Sequence, residues 1–153
     1  MPALRAVPLL AAPLLVCLLA TAPALADDAS PVGLWKNVDD KTGKPKADIR
    51  ISESNGVLQG RVERLYRGAG EDQHPICSEC EGDDKGRPVI GLSIIDGMTK
   101  DGDAWSGGTI LDPENGKVYR SRLRLIDGGR KLEVRGYVGV PVLGRSQVWM
   151  RQE

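Results

Sequence analysis

The chain contains no phenylalanine, one histidine and three cysteines, and no excess of either charge: 21 lysines and arginines stand against 21 aspartates and glutamates. Each shortage excludes something. Without phenylalanine, a core has to be built from Val, Ile and Leu around three tryptophans and three tyrosines. Balanced charge argues against nucleic acid as a partner, because its binders carry a clear basic excess. A lone histidine leaves little scope for mechanisms that hold an imidazole base beside a nucleophile. No nucleophile elbow, H-E-x-x-H or P-loop pattern occurs. Helical periodicity, solenoid-length repeats and low-complexity tracts are also missing beyond the first 26 residues.

What is present divides at residue 26. Arg5, the apolar stretch from Leu9 to Ala20 and the small residues Ala24-Leu25-Ala26 read as a secretory signal peptide cleaved before Asp27. Pro13 and Pro23 interrupt the run, which falls short of the roughly 20 clean apolar residues that a membrane span needs. Cys17 raises a lipoprotein alternative. Bulky Val16 before it and the apolar residues after it count against acylation. The expected product is residues 27–153, a single domain, periplasmic or secreted, with no membrane span. All 19 glycines lie in this part.

Within it, apolar and polar residues alternate in twos, as half-buried strands require. In Val118-Tyr119-Arg120-Ser121-Arg122-Leu123-Arg124-Leu125 the arginines take one face, and Tyr119, Ser121, Leu123 and Leu125 the other. Eight strands are expected, near residues 33–38, 47–52, 57–66, 89–95, 103–111, 117–126, 131–138 and 145–151. Asn55-Gly56, Asp101-Gly102, Asn115-Gly116 and Asp127-Gly128-Gly129 supply hairpin turns between them. Strands joined in sequence order form a meander, and eight are enough to close a barrel and remove its edges. The fold class is therefore all-β, an eight-stranded antiparallel meander barrel. Gly60, Gly107, Gly108 and Gly136 fall inside strands, where they either leave room in the interior or shape the corners of the barrel.

One connection, 67–88, is long and carries Cys77-Ser78-Glu79-Cys80. The pair has three readings: a structural disulfide, half of a metal site completed by His74, or a thiol redox centre. No helix within a βαβ context frames it as redox motifs require. Metal ligation would draw on His74, Cys77 and Cys80 with a strained fourth carboxylate. An exported chain favours oxidation of the two thiols to each other. Asp96, Asp101, Asp103, Asp112 and Glu114 fall mostly in turns, where capping explains them better than acid–base work. No cofactor and no catalytic residue is expected.

If the sheet closes, the first and last strands become neighbours. A basic side chain, Arg145 or Arg151, then covers the Trp35 ring as a plug at one barrel end. Trp35, Trp105, Tyr119 and Tyr137 are candidate ligand contacts as well as candidate core.

Two long segments resemble a known family. Trp105-Ser106-Gly107-Gly108-Thr109-Ile110-Leu111-Asp112-Pro113-Glu114-Asn115-Gly116-Lys117-Val118-Tyr119 is similar to one signature of the exported bacterial family catalogued as domain-of-unknown-function 2147. Arg135-Gly136-Tyr137-Val138-Gly139, followed by Gly144-Arg145-Ser146-Gln147-Val148-Trp149-Met150-Arg151, is similar to its C-terminal signature. Gly33-Leu34-Trp35 near the start also resembles lipocalins. The resemblance implies a calycin-like, lipocalin-like barrel exported from Gram-negative cells. It implies a cysteine pair in the same loop, which adds weight to a Cys77–Cys80 disulfide, and it brings no catalytic residues. Two functions follow as expectations. One is a non-catalytic binder of a small apolar or amphipathic ligand in the barrel mouth. The other is an envelope interaction or stress protein with a filled barrel, working through the 67–88 loop or through the Arg120, Arg122 and Arg124 ridge on anionic partners. A metal-dependent enzyme built on His74 and the cysteines stands as a further alternative to these two.

Overall fold

The alternating pattern from Gly33 onward builds a closed antiparallel barrel in a computed structural model that describes residues 30–153. The signal-peptide segment and Cys17 lie outside the described residues. The strands are β1 (Gly33–Val38), β2 (Pro45–Ser54), β3 (Val57–Leu65), β4 (Ser93–Asp101), β5 (Ala104–Ser106), β6 (Thr109–Asp112), β7 (Lys117–Ile126), β8 (Lys131–Tyr137) and β9 (Arg145–Arg151). β5 and β6 both lie between β4 and β7, so they share one wall position and the barrel has eight. Trp35 pairs with Arg151 and Lys36 with Met150, which joins β1 to β9, while β3 pairs with β4. Among the described residues, no edge strand remains to template aggregation. Two single 3-10 turns, Gly82–Asp84 and Pro141–Leu143, are the only helical elements among the described residues.

Turn chemistry sets the hairpins. Asn55 and Gly56 both adopt positive φ, 52° and 78°, as a two-residue turn matched to strand twist demands. In the β1–β2 turn, Asp39 Oδ1 accepts the Thr42 N–H at 2.8 Å and the Lys41 N–H at 3.1 Å. The Thr42 amide bond in particular holds the Asp39 carboxyl below its ordinary range.

β2 runs two residues further at each end than expected and β3 and β8 each stop one residue earlier, while two expected strands differ more deeply. The strand expected at 89–95 begins at Ser93 and runs on to Asp101. Residues 89–92 bond elsewhere: the Val89 N–H donates to Pro75 O at 2.9 Å and the Gly91 N–H to Val62 O at 2.7 Å. The strand expected at 103–111 breaks at Gly107 and Gly108. A Cβ on Gly108 would sit 2.2 Å from Asp96 O and 2.6 Å from the Gly97 carbonyl carbon, so here the wall crosses β4 at backbone contact.

Inward-facing residues fill the barrel. Trp35, Ile49, Ile51, Leu58, Ile95, Met98, Leu123 and Leu132 are fully buried and Trp149 is 1% exposed. Burial of side chains of this size contributes about 1.5–3 kcal/mol each, which makes this layer the main source of stability. The strand glycines tighten the interior. A Cβ on Gly60 would meet Ile95 Cβ at 3.0 Å, and one on Gly136 would meet Ile110 and Tyr119 atoms at 3.6 Å.

Candidate functional site

The barrel has two ends. At the end where β1 begins, the Arg151 guanidinium lies over the Trp35 ring, 4.3 Å from its centroid. It also donates to three backbone carbonyls: Gly129 O at 2.7 Å, Val32 O at 3.1 Å and Ser30 O at 2.7 Å. Trp35 Nε1 donates to Pro31 O at 2.7 Å. At the same end but on the opposite wall, Lys100 Nζ sits 3.6 Å from the Trp105 ring centroid, with Trp105 6% exposed. Cation–ring contacts therefore cap two indoles at one end, where a full positive charge keeps access to water while covering apolar surface.

The opposite end, the mouth, is framed by the turns at 39–44, 66–92, 113–116 and 138–144. Lys46 on β2 meets Glu114 in the β6–β7 turn at 2.6 Å. Several wall positions separate these strands, so the ion pair spans the mouth. Arg145 pairs with Asp40 at the rim. Just below, Asn37 Nδ2 and Trp149 Nε1 both donate to Gln147 Oε1 at 3.3 Å. Ser121, fully buried on the inner face of β7, leaves its hydroxyl without a hydrogen-bond partner among the described residues, as does Asn37 Oδ1. The interior thus grades from an indole floor to a thin polar layer under a bridged rim.

The disulfide segment of the long loop rests on the outer side of the barrel. Register places Ile110 with inward-facing Tyr119 and Leu111 with outward-facing Val118. Leu111 and Ile94 lie on the outer face, yet they are only 8% and 7% exposed. Beside Leu111 lies the disulfide loop: Cys77 and Cys80 are bonded, with Cα atoms 5.3 Å apart, and are 0% and 2% exposed. Cys77 Sγ lies 3.5 Å from Pro113 O. A Cβ on Gly116 would fall 1.8 Å from Glu79 O, so the loop rests directly on the β6–β7 turn. With both sulfurs in a disulfide, neither is a thiolate ligand. No group of three or more metal-binding side chains gathers among the described residues. His74 is exposed, and its backbone N–H donates to Asp72 Oδ1 at 2.9 Å. Breaking the bridge, with Cys77→Ser and Cys80→Ser together, is expected to cost about 2 kcal/mol from loop entropy. Urea unfolding read with and without reductant measures it. An unmoved midpoint would show that the loop's backbone hydrogen bonds alone hold it down.

The outer wall of β7 and β8 carries charge. Arg120, Arg122 and Arg124 face outward from β7, and Arg122 lies directly opposite Arg135 on β8. Arg124 meets Glu133 at 3.5 Å and Arg122 reaches Asp103 at 3.8 Å. Arg122, Arg124, Glu133, Arg135, Pro141 and Val142 line a depression of about 390 Å³. A second one, about 380 Å³, lies at the rim between the disulfide loop and β7, lined in part by Cys80, Leu111, Val118, Tyr119 and Val138.

The aromatic candidates therefore separate. Trp35 and Trp105 belong to the capped end and Tyr119 to the inner wall near the mouth. Tyr137 lies on the outer face opposite Arg120. Arg151 reaches Trp35, whereas Arg145 stands at the other end with Asp40. Sequence reasoning passed over Asn37, Gln147 and Lys100, although strand alternation placed the first two inward. It also passed over Val138-Gly139-Val140-Pro141-Val142-Leu143, an apolar run between two strands that was open to view.

Residues 33–151 match the bacterial protein family described as "Uncharacterized protein conserved in bacteria (DUF2147)". Among curated proteins, none matches. The fold is similar to a solved structure reported as "Protein HP1028 from the human pathogen Helicobacter pylori belongs to the lipocalin family", with a TM-score of 0.67 at 17% identity. The alignment covers 80% of this chain and 82% of that one. At that identity the likeness concerns the fold alone: a lipocalin-like barrel.

Proposed function

The chain belongs to the bacterial DUF2147 family, and from that premise we propose an exported, non-catalytic binding protein that meets an amphipathic, anionic partner on its outer wall. The fold is compatible with small-ligand binding, and barrels of eight strands either hold one small ligand or are filled by their own side chains. The observation that carries this reading is the filling: two indoles, Trp35 and Trp149, and their aliphatic neighbours are at most 1% exposed inside the wall. An apolar chain entering from the mouth would have to displace them and break the Lys46–Glu114 bridge. Fold by itself does not fix function, so the site has to be argued from its surface chemistry. On that surface, cationic side chains and exposed aliphatic ones are neighbours, the combination that an amphipathic partner with a negative head would match.

Intrinsic tryptophan fluorescence tests the reading. Oleate or a hydrophobic dye titrated into the purified protein is expected to leave the emission of Trp35, Trp105 and Trp149 unchanged. Saturable quenching with one ligand per chain would require a chamber beside the indoles, and the partner would then belong inside the barrel.

A further inference from the structure

The β8–β9 connection exposes apolar side chains to a degree that a loop does not need for its own stability. Val138 is 73% exposed, Val140 52%, Val142 80% and Leu143 78%. These side chains are presented, because the backbone beneath them is held from below. Arg135 Nε donates to Pro141 O at 2.6 Å, its Nη2 to Val142 O at 3.2 Å and its Nη1 to Ser146 Oγ at 2.9 Å. The Leu143 N–H closes a 3-10 turn on Val140 O at 3.2 Å, and the Gly144 N–H another on Pro141 O at 3.0 Å. Gly144 is itself pressed against β8, where a Cβ would lie 2.5 Å from Gly136 O. One outer-wall arginine and two turns thus fix a tip whose valines and leucine point into solvent.

The neighbours of the tip are cations. Val142 and Pro141 share a depression with Arg122, Arg124 and Arg135. Arg122 and Arg135 face each other across β7 and β8, a like-charge pairing that costs stability unless an anion relieves it. Glu133 and Asp103 offset part of this charge from positions beside Arg124 and Arg122. Arg120 extends the ridge, and Val118, 61% exposed, extends the apolar border on the same outer face. In a chain with no net charge, this is a local concentration of positive groups beside a rigid apolar tip.

Resting on the reading of an outer-wall binding surface, we infer that this face docks on an anionic phospholipid bilayer. The side chains of Val138, Val140, Val142 and Leu143 enter the interfacial hydrocarbon, and Arg120, Arg122 and Arg124 meet headgroup phosphates. A free phosphate would satisfy the arginines and leave the tip in water, whereas a bilayer surface answers both at once. Each half supplies what the other lacks. Shallow insertion of four aliphatic side chains is weak alone, and arginine–phosphate attraction at a surface is screened by salt.

Vesicle co-sedimentation tests it on the protein as recovered from the expressing bacterium, with the N-terminus read by intact mass and identical in every sample. Vesicles of phosphatidylcholine carrying about one-third phosphatidylglycerol are expected to bind the protein, and pure phosphatidylcholine at least ~10-fold more weakly, with binding falling as salt rises. V142S/L143S and R120Q/R122Q, all at exposed positions and checked for unchanged Tm, are each expected to weaken binding by about 10-fold. Equal binding to both vesicle types, or wild-type affinity in both variants, overturns the inference. So does self-association in sedimentation that V142S/L143S abolishes, which would give the face to a second copy of the chain. Failure here with unquenched tryptophans would leave the filled-barrel reading standing, whereas oleate quenching would remove that reading first.

Discussion

Replacing Gly108 with alanine is expected to destabilise the barrel by about 3 kcal/mol, roughly 10 °C in Tm. The added Cβ would lie 2.2 Å from Asp96 O, 2.6 Å from the Gly97 carbonyl carbon and 2.6 Å from Met98 Sδ. Two of those three atoms are backbone of β4, which cannot rotate away as a side-chain tip does. Relief therefore needs β4 and the β5–β6 wall to separate, which would strain the pairing of Ile95 with Ile110 and uncover the core beside Met98. Gly136→Ala supplies the control: its Cβ would make ordinary contacts at 3.6 Å, so a loss below about 1 kcal/mol is expected. Thermal and urea unfolding of both variants measures the difference. Equal stability of the two would mean that the crossing at Gly108 is looser than its distances indicate.

The second large effect is at the capped end. Arg151→Ala is expected to cost about 3 kcal/mol, combining a lost cation–ring contact with charge-assisted hydrogen bonds to carbonyls. The side chain joins four parts of the chain: the indole of Trp35, the segment before β1 through Ser30 and Val32, the β7–β8 turn through Gly129, and its own strand. Removing it opens the floor of the barrel and frees the residues ahead of β1. Arg151→Lys keeps the charge, but it has neither the planar fork that bonds several carbonyls nor the flat face that stacks on a ring, so it should recover less than half of the loss. Near-UV circular dichroism reports the Trp35 environment while urea unfolding gives the energy. If Arg151→Met matched the wild type, the aliphatic stem alone would be supporting the indole, and the charge would contribute nothing.

Much of the wall was legible because a strand's side-chain period is local. β1 occupies the residues its alternation marks, Gly33–Val38, and β7 occupies Lys117–Ile126 with its arginines outward. Asn55-Gly56 turns the chain for a steric reason carried by the two residues themselves. Tyr137, expected as an interior contact, is corrected by the same rule: it follows Leu132, Val134 and Gly136, the inward row of β8, so it faces out opposite Arg120. β4 was less legible, because Val89-Ile90-Gly91-Leu92 has strand-like composition. Its amides are claimed by Pro75 and Val62, partners that no short window contains.

The candidate surface divides the same way. Arg120, Arg122 and Arg124 on one face were visible as an alternation, and Cys77 and Cys80 as a pair three residues apart. Their settings were not visible. That the disulfide loop lies against Leu111 and the β6–β7 turn outside the barrel depends on how a connection of about twenty residues packs. That Arg135 anchors the 138–144 turn and turns its valines outward depends on three hydrogen bonds reached only after β8 and β9 pair.

The amino-acid sequence alone determined the all-β class, the number of wall positions, the polarity of each strand face and the turns, since each follows from a residue and its near neighbours. Tertiary structure alone decided that the interior is filled, that Arg151 rather than Arg145 covers Trp35, and that an apolar tip stands beside an arginine ridge. Those outcomes depend on which distant strands become neighbours when the sheet closes, and on volumes and charges that meet only then.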